Sequence, residues 1–117
     1  MIKTLEDLRQ RARNFATERD WEQFQSPKNL AMALSVEVAE LMEPFQWLTE
    51  QESAALPAKR LAAVADEIAD VQIYLALLAD RLGVDILRAA DAKMDKNEAK
   101  YPVEKVRGSA RKYTEYE

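Results

Sequence analysis

The sequence predicts an all-α protein, a four-helix bundle with a short extra helix between its second and third long helices. Three observations carry this. Ala, Leu, Glu, Lys and Arg dominate a chain that has only two glycines, so helix formers are plentiful and hairpin turns are scarce. Apolar residues recur at intervals of three and four over long stretches, which is the period of a helix and not of a strand. Those stretches are bounded by residues that start or stop helices, among them Ser26-Pro27, Pro57, Gly83 and Asp85. At 117 residues and 48% hydrophobic, the chain has one domain's length and enough apolar side chain for a core.

Thr4 caps a first helix that runs to about Arg19, with Leu5, Leu8, Ala12, Phe15 and Ala16 at helical spacing. Residues 20–25, DWEQFQ, form a short polar link carrying two large aromatics, Trp21 and Phe24, which either lid the core or face a ligand. Ser26 as N-cap and Pro27 at the first position open a second helix, which Pro44 stops after about Glu43. TEQE, from Thr49 to Glu52, reads as a capping box for a short helix ending near Leu56. Pro57 then opens the third long helix, which continues to Leu82 before Gly83. Its main stripe is Leu61, Val64, Ile68, Val71, Leu75, Leu78 and Leu82, and Ile73 and Leu77 lie on another side. A helix apolar on two sides is sandwiched, and in so short a chain a second subunit is a ready source of the second partner. Asp85 caps the fourth helix, which reaches about Lys100 before Tyr101-Pro102. Residues 1–102 are thus the helical domain. Residues 103–117 are polar, and an irregular tail docked by Tyr113 and Tyr116 is expected there.

Composition restricts the chemistry. The chain has no Cys and no His, which excludes thiol nucleophiles and Cys zinc sites and removes the commonest general base and transition-metal ligand. Acid–base or metal work must fall to carboxylates, and all-carboxylate sites suit the hard cations Mg²⁺, Mn²⁺ and Ca²⁺. A net charge of −4 does not favour nucleic acid as a partner. No stretch reaches the roughly 18 apolar residues of a membrane span. MIKTLEDLRQ has no apolar run of a signal peptide, so a cytoplasmic protein is expected.

The second helix breaks the usual pattern. At about 100° per residue, Leu30, Leu34 and Leu41 share one narrow stripe, and Glu37 falls inside it with Glu40 at its edge. A carboxylate belongs on the far side of an apolar face, and burying one is costly unless a cation compensates it. Glu37-x-x-Glu40 has a counterpart in Glu67-x-x-Asp70 on the third helix. A spacing of three puts both acids of a pair on one face. If these helices pack antiparallel, the four carboxylates converge, and four like charges together need a counter-cation. Acidic pairs at this spacing are also common on wet helix faces, so Glu67 and Asp70 alone decide nothing. Trp21, Trp47 and Tyr74, the last one turn beyond Asp70, offer flat faces for a nucleobase or are simply core. Lys93, Lys96, Asn97 and Lys100 recur at helical spacing in KMDKNEAKY, where they can pair with phosphate and sugar or mark a solvated face.

Joined together, EVAE, FQW, DEIAD followed by VQIY, and KMDKNEAKYP resemble the MazG-like all-α nucleoside triphosphate pyrophosphohydrolases. Within them the chain is most similar to the dCTP pyrophosphatase branch, with likeness running from ERDWEQF through RGSARKYTEY. The resemblance implies Mg²⁺, or Mn²⁺ in its place, held by Glu37, Glu40, Glu67 and Asp70; at such a site Glu37 or Glu40 is the carboxylate expected to orient or deprotonate the attacking water. It implies nucleotide contacts from Trp21, Trp47 and Tyr74, and second-line contacts from Lys93, Asn97 and Tyr101. It implies cleavage of a dNTP, dCTP or a modified dCTP foremost, to dNMP and pyrophosphate, as a housecleaning of the nucleotide pool. It also implies a homodimer or a dimer of dimers with the site between chains. One departure stands out. The branch carries a nucleotide-contacting His in the first helix, and Ala12 holds that position here. The alternative is a non-catalytic helical module that binds a nucleotide or a metal.

Overall fold

The computed structural model describes residues 1–115. Its long helices are α1 (Leu5–Glu18), α2 (Pro27–Met42), α4 (Ala58–Leu82) and α5 (Ile86–Lys100), with the short α3 (Glu50–Ser53) between the second and third of them. The architecture is all-α, with the extra helix where it was expected. The expected caps form. Thr4 Oγ1 accepts from the Asp7 N–H at 3.0 Å while the Asp7 carboxylate takes the Thr4 N–H at 3.2 Å. Thr49 and Glu52 build the same reciprocal box at the start of α3. Ser26 and Asp85 accept from the third residue on, at 3.2 and 3.0 Å. Gly83 ends α4 at φ 67°, a left-handed position that suits a residue without Cβ. The short helix stops at Ser53, short of the expected Leu56, and runs out in tighter i to i+3 turns, Ala54 N–H to the Gln51 carbonyl and Ala55 N–H to the Glu52 carbonyl.

Two compact units divide the chain at Gly83. In the first, residues 1–83, α4 packs against both α1 and α2. Its buried side chains are Leu30 of α2, at 1% exposure, Ala12 and Ala16 of α1, and Val64, Ala76 and Ala79 of α4. Four of the six are alanines, so the helices close on small side chains. The main stripe of α4 splits. Val64 is buried and Val71 and Leu78 are half-buried. Leu61, Ile68, Leu75 and Leu82, each seven residues from the next, stay open at 38–57% exposure. Positions three apart differ by about 60° around a helix, so one half of a heptad stripe can face in while the other faces out.

The second unit, residues 84–117, is built on α5. The expected irregular tail holds a further turn of helix, α6 (Val103–Val106). Pro102 has the fixed φ that starts helices, and its carbonyl accepts from the Lys105 and Val106 N–H groups. Tyr116 lies outside the described residues, as does the Tyr113 side chain, so the docking expected of that pair lies outside them too. Among the described residues no helix is long and apolar enough to cross a membrane.

Candidate metal centre and the cavity beside it

Glu37 lies in the inward stripe of α2 with Leu30, Leu34 and Leu41, and is half-buried there. One carboxylate oxygen each from Glu37, Glu67 and Asp70 come within 4.8 Å of one another. Glu40 completes the group. Its carboxyl stands close enough to Glu37 and to Glu67 to raise both. Loss of water raises the Glu37 carboxyl above its usual range, and the hydrogen bond and charge of Glu40 and the charges of Asp70 and Glu67 raise it further. Glu67 is raised by the same causes, desolvation first and the charges of Glu40 and Asp70 next. The Oε2 atoms of Glu37 and Glu67 are buried and accept no hydrogen bond. Among the described residues no Lys or Arg pairs with any of the four acids.

An all-oxygen donor set, like charges at close quarters and two orphaned buried oxygens fit a hard divalent cation such as Mg²⁺ or Mn²⁺. Two helices supply the whole set, each through an i, i+3 pair.

Asp70 also lines a cavity of about 460 Å³, within the range of small-molecule sites. Along α4 its wall continues through Ile73, Tyr74 and Leu77, and α1 faces it with Leu8, Arg11, Ala12, Phe15 and Ala16. Trp21 and Gln25 close one side. The Trp21 ring meets Phe15 edge to face at 5.7 Å between centroids and 74° between planes, and the Arg19 guanidinium lies 3.6 Å over the other aromatic, Phe15. The position where the resembling branch carries an imidazole, Ala12, is part of the wall.

The expected nucleotide residues therefore divide. Trp21 and Tyr74 line the cavity with Asp70. Trp47 does not, and stands 87% exposed after the turn that follows α2. Lys93, Asn97 and Tyr101 belong to the second unit, at every fourth position along α5 and onto its C-cap, where the Tyr101 N–H donates to the Asn97 carbonyl at 2.8 Å. Sequence reasoning assigned no site role to Phe15 or Gln25. Their signal was the same helical spacing and link composition that also describe a core.

Trp21 owes its place to the way α1 ends. Asp20 adopts φ 54°, the left-handed region. Its N–H donates to the Thr17 carbonyl at 3.1 Å, and the Trp21 N–H reaches back to the Ala16 carbonyl at 3.0 Å. That is a Schellman stop with Asp where Gly is usual. Asp20→Asn and Asp20→Gly are expected to leave the melting temperature and nucleotide affinity close to wild type. Asp20→Val should cost about 1–2 kcal/mol, lower the melting temperature and weaken nucleotide binding. Thermal melts and nucleotide titrations of the three variants check this.

The model of the MazG-like family matches residues 32–116 of the chain. A dCTP pyrophosphatase 1 from Mus musculus is 52% identical over 114 residues, which is 96% of this chain and 67% of that protein. Its counterpart from Homo sapiens is 50% identical over 115 residues, with the same two shares. A crystal structure of a pyrophosphatase from Archaeoglobus fulgidus superposes with a TM-score of 0.80 at 42% identity, covering 87% of this chain and 95% of the other. At such identities a shared fold is accompanied by shared sequence along nearly the whole length, and this chain belongs to the MazG-like family.

Proposed function

We propose that the protein is a Mg²⁺-dependent nucleoside triphosphate pyrophosphohydrolase that cleaves a dNTP, dCTP or a modified dCTP foremost, to dNMP and pyrophosphate. The observation that carries this is the meeting of Glu37, Glu67 and Asp70 within 4.8 Å at the edge of a cavity that Asp70 shares with Trp21 and Tyr74. Its relatives named as dCTP pyrophosphatases support the substrate class. Glu37, Glu40, Glu67 and Asp70 are the residues to hold Mg²⁺, or Mn²⁺ in its place. When bound, the ion supplies charge neutralisation for the triphosphate and its transition state.

The protein's own groups do the rest. Glu37 or Glu40 orients the attacking water and accepts its proton. Oxygen of that water bonds to the α-phosphorus as the bond to the pyrophosphate leaving group breaks. Trp21 and Tyr74 hold the base between apolar faces, a contact worth about 1–3 kcal/mol per base. Ala12 removes an imidazole from that wall and so loosens base selection. Lys93, Asn97, Tyr101 and Trp47 remain nucleotide contacts on the sequence pattern and the family resemblance. The outward row Leu61, Ile68, Leu75 and Leu82 supports assembly as a homodimer or dimer of dimers, since such a row is costly in water. The proposed setting is the cytoplasmic nucleotide pool, with neither nucleic acid nor membrane as a partner.

A panel of common dNTPs and NTPs with Mg²⁺, read by pyrophosphate release, tests this. Release from dCTP or a modified dCTP above the others is expected. Binding without release from any nucleotide would make the protein a nucleotide-binding module instead.

A further inference from the structure

We infer that Asp80 is a positioning residue for nucleobase recognition, acting through two arginines of α1; this rests on the reading of the cavity as the base site. The Asp80 side chain is only 9% exposed. It accepts from Arg13 through both carboxylate oxygens, Nε to Oδ2 and Nη2 to Oδ1 at 2.9 Å each. Arg9 Nη1 donates to the same Oδ1, also at 2.9 Å, and Glu6 holds Arg9 from the other side at 2.8 Å. One nearly buried carboxylate of α4 thus fastens two successive turns of α1, in the two-pronged geometry that fixes orientation as well as distance.

Location gives this clamp its role. On α4 the cavity wall runs through Asp70, Ile73 and Leu77, and Asp80 is the next residue at that spacing. On α1, Arg9 and Arg13 alternate with the cavity residues Leu8, Ala12 and Phe15. Arg13 and Asp80 also line a second, smaller recess that shares Ala16, Gln25 and Leu77 with the main cavity. The buried apolar part of α1 is two alanines, joined only by half-buried Leu5 and Leu8, a small apolar area with which to fix a helix. Ion-pair geometry therefore sets where the wall bearing Phe15, and Trp21 after it, stands relative to Tyr74. The acids Glu37, Glu40, Glu67 and Asp70 belong to α2 and α4 and need nothing from α1.

The test compares a dNTP with the same deoxyribose triphosphate lacking its base. Asp80→Asn should raise KM for the dNTP about ten- to a hundredfold, the scale of lost base stacking. Its kcat, the Mg²⁺ concentration for half-maximal rate, and all constants for the base-less substrate should remain near wild type. Arg13→Gln should do the same, and Arg9→Gln, which leaves the two-pronged pair intact, should raise KM less. An unchanged KM overturns the inference, and so does an equal loss on both substrates, which would mean general damage. Should Asp80→Asn fail to fold, Arg9→Gln decides by the same criteria, and failure of both to fold makes Asp80 a stability residue only and overturns the positioning role. Wild-type protein that releases no pyrophosphate from any dNTP defeats the parent reading, an outcome distinct from an active wild type with an indifferent Asp80→Asn.

Discussion

Glu37→Gln is expected to abolish pyrophosphate release and, in the same protein, to raise the melting temperature measured with a chelator present. The two effects have opposite signs because one carboxylate serves function at the expense of the fold. In the metal-free chain Glu37 has a buried oxygen with no hydrogen-bond partner, and three other acids press on it. Gln keeps its shape, carries no charge, and offers N–H donors to those neighbours, so the repulsion falls while the packing stays. Turnover loses a ligand and a candidate base together. That is a loss of roughly a thousandfold in kcat, the scale of several kcal/mol of charge stabilisation. Asp70→Asn should behave alike in turnover. An acid on a wet helix face would give neither effect. Near-wild-type rates in both variants under saturating Mg²⁺ would overturn the metal assignment, whatever the melting curves do.

Glu37 was legible before any coordinates because it interrupts an apolar stripe, and a side chain out of place on a helix can be read from spacing alone. The helix limits were legible for a similar reason. Thr4, Ser26, Thr49, Gly83 and Asp85 each do a local job that depends on few other residues. Glu67 and Asp70 were not decidable by themselves, since the same spacing serves a solvated face, and only packing against α2 gives them company. Phe15 was hidden by being ordinary. An aromatic at helical spacing describes a core residue and a cavity wall equally well. Leu61, Ile68, Leu75 and Leu82 show a further limit. Their period marks an apolar stripe but does not say whether this chain or another covers it. Trp47, 87% exposed, stood out as aromatic bulk after the second helix, but bulk alone does not separate a base-stacking face from core.

Without divalent cation, the carboxylate cluster should make the protein less stable as pH rises above about 4.5, and Mg²⁺ should reverse the trend. Glu37 and Glu67 are both raised above the ordinary 4.5. Between that value and their folded values the native state keeps protons that the unfolded chain has already released. Stability from this source is therefore complete below 4.5 and is lost as pH climbs through the folded values. Glu6, lowered chiefly by its hydrogen bond from Arg9, and Glu52, lowered by the Thr49 backbone N–H, act in the other direction. Their stabilisation is present above 4.5 and fades on acidification below it, so the two groups separate on the pH axis. Divalent cations bind the ionised carboxylates, so protons and Mg²⁺ compete for one cluster. The rise in melting temperature on adding Mg²⁺ should be near zero around pH 4.5 and grow towards neutrality. There it reaches about 2.7 kcal/mol of added stability once Mg²⁺ is at a hundred times its Kd. Melting curves across pH, with chelator and with Mg²⁺, measure both trends. In a Glu37→Gln, Glu67→Gln double variant the alkaline loss and the Mg²⁺ gain should disappear together, because both arise from the same oxygens. A Mg²⁺ shift that survives that variant, or that is flat with pH, places the ion elsewhere on the protein.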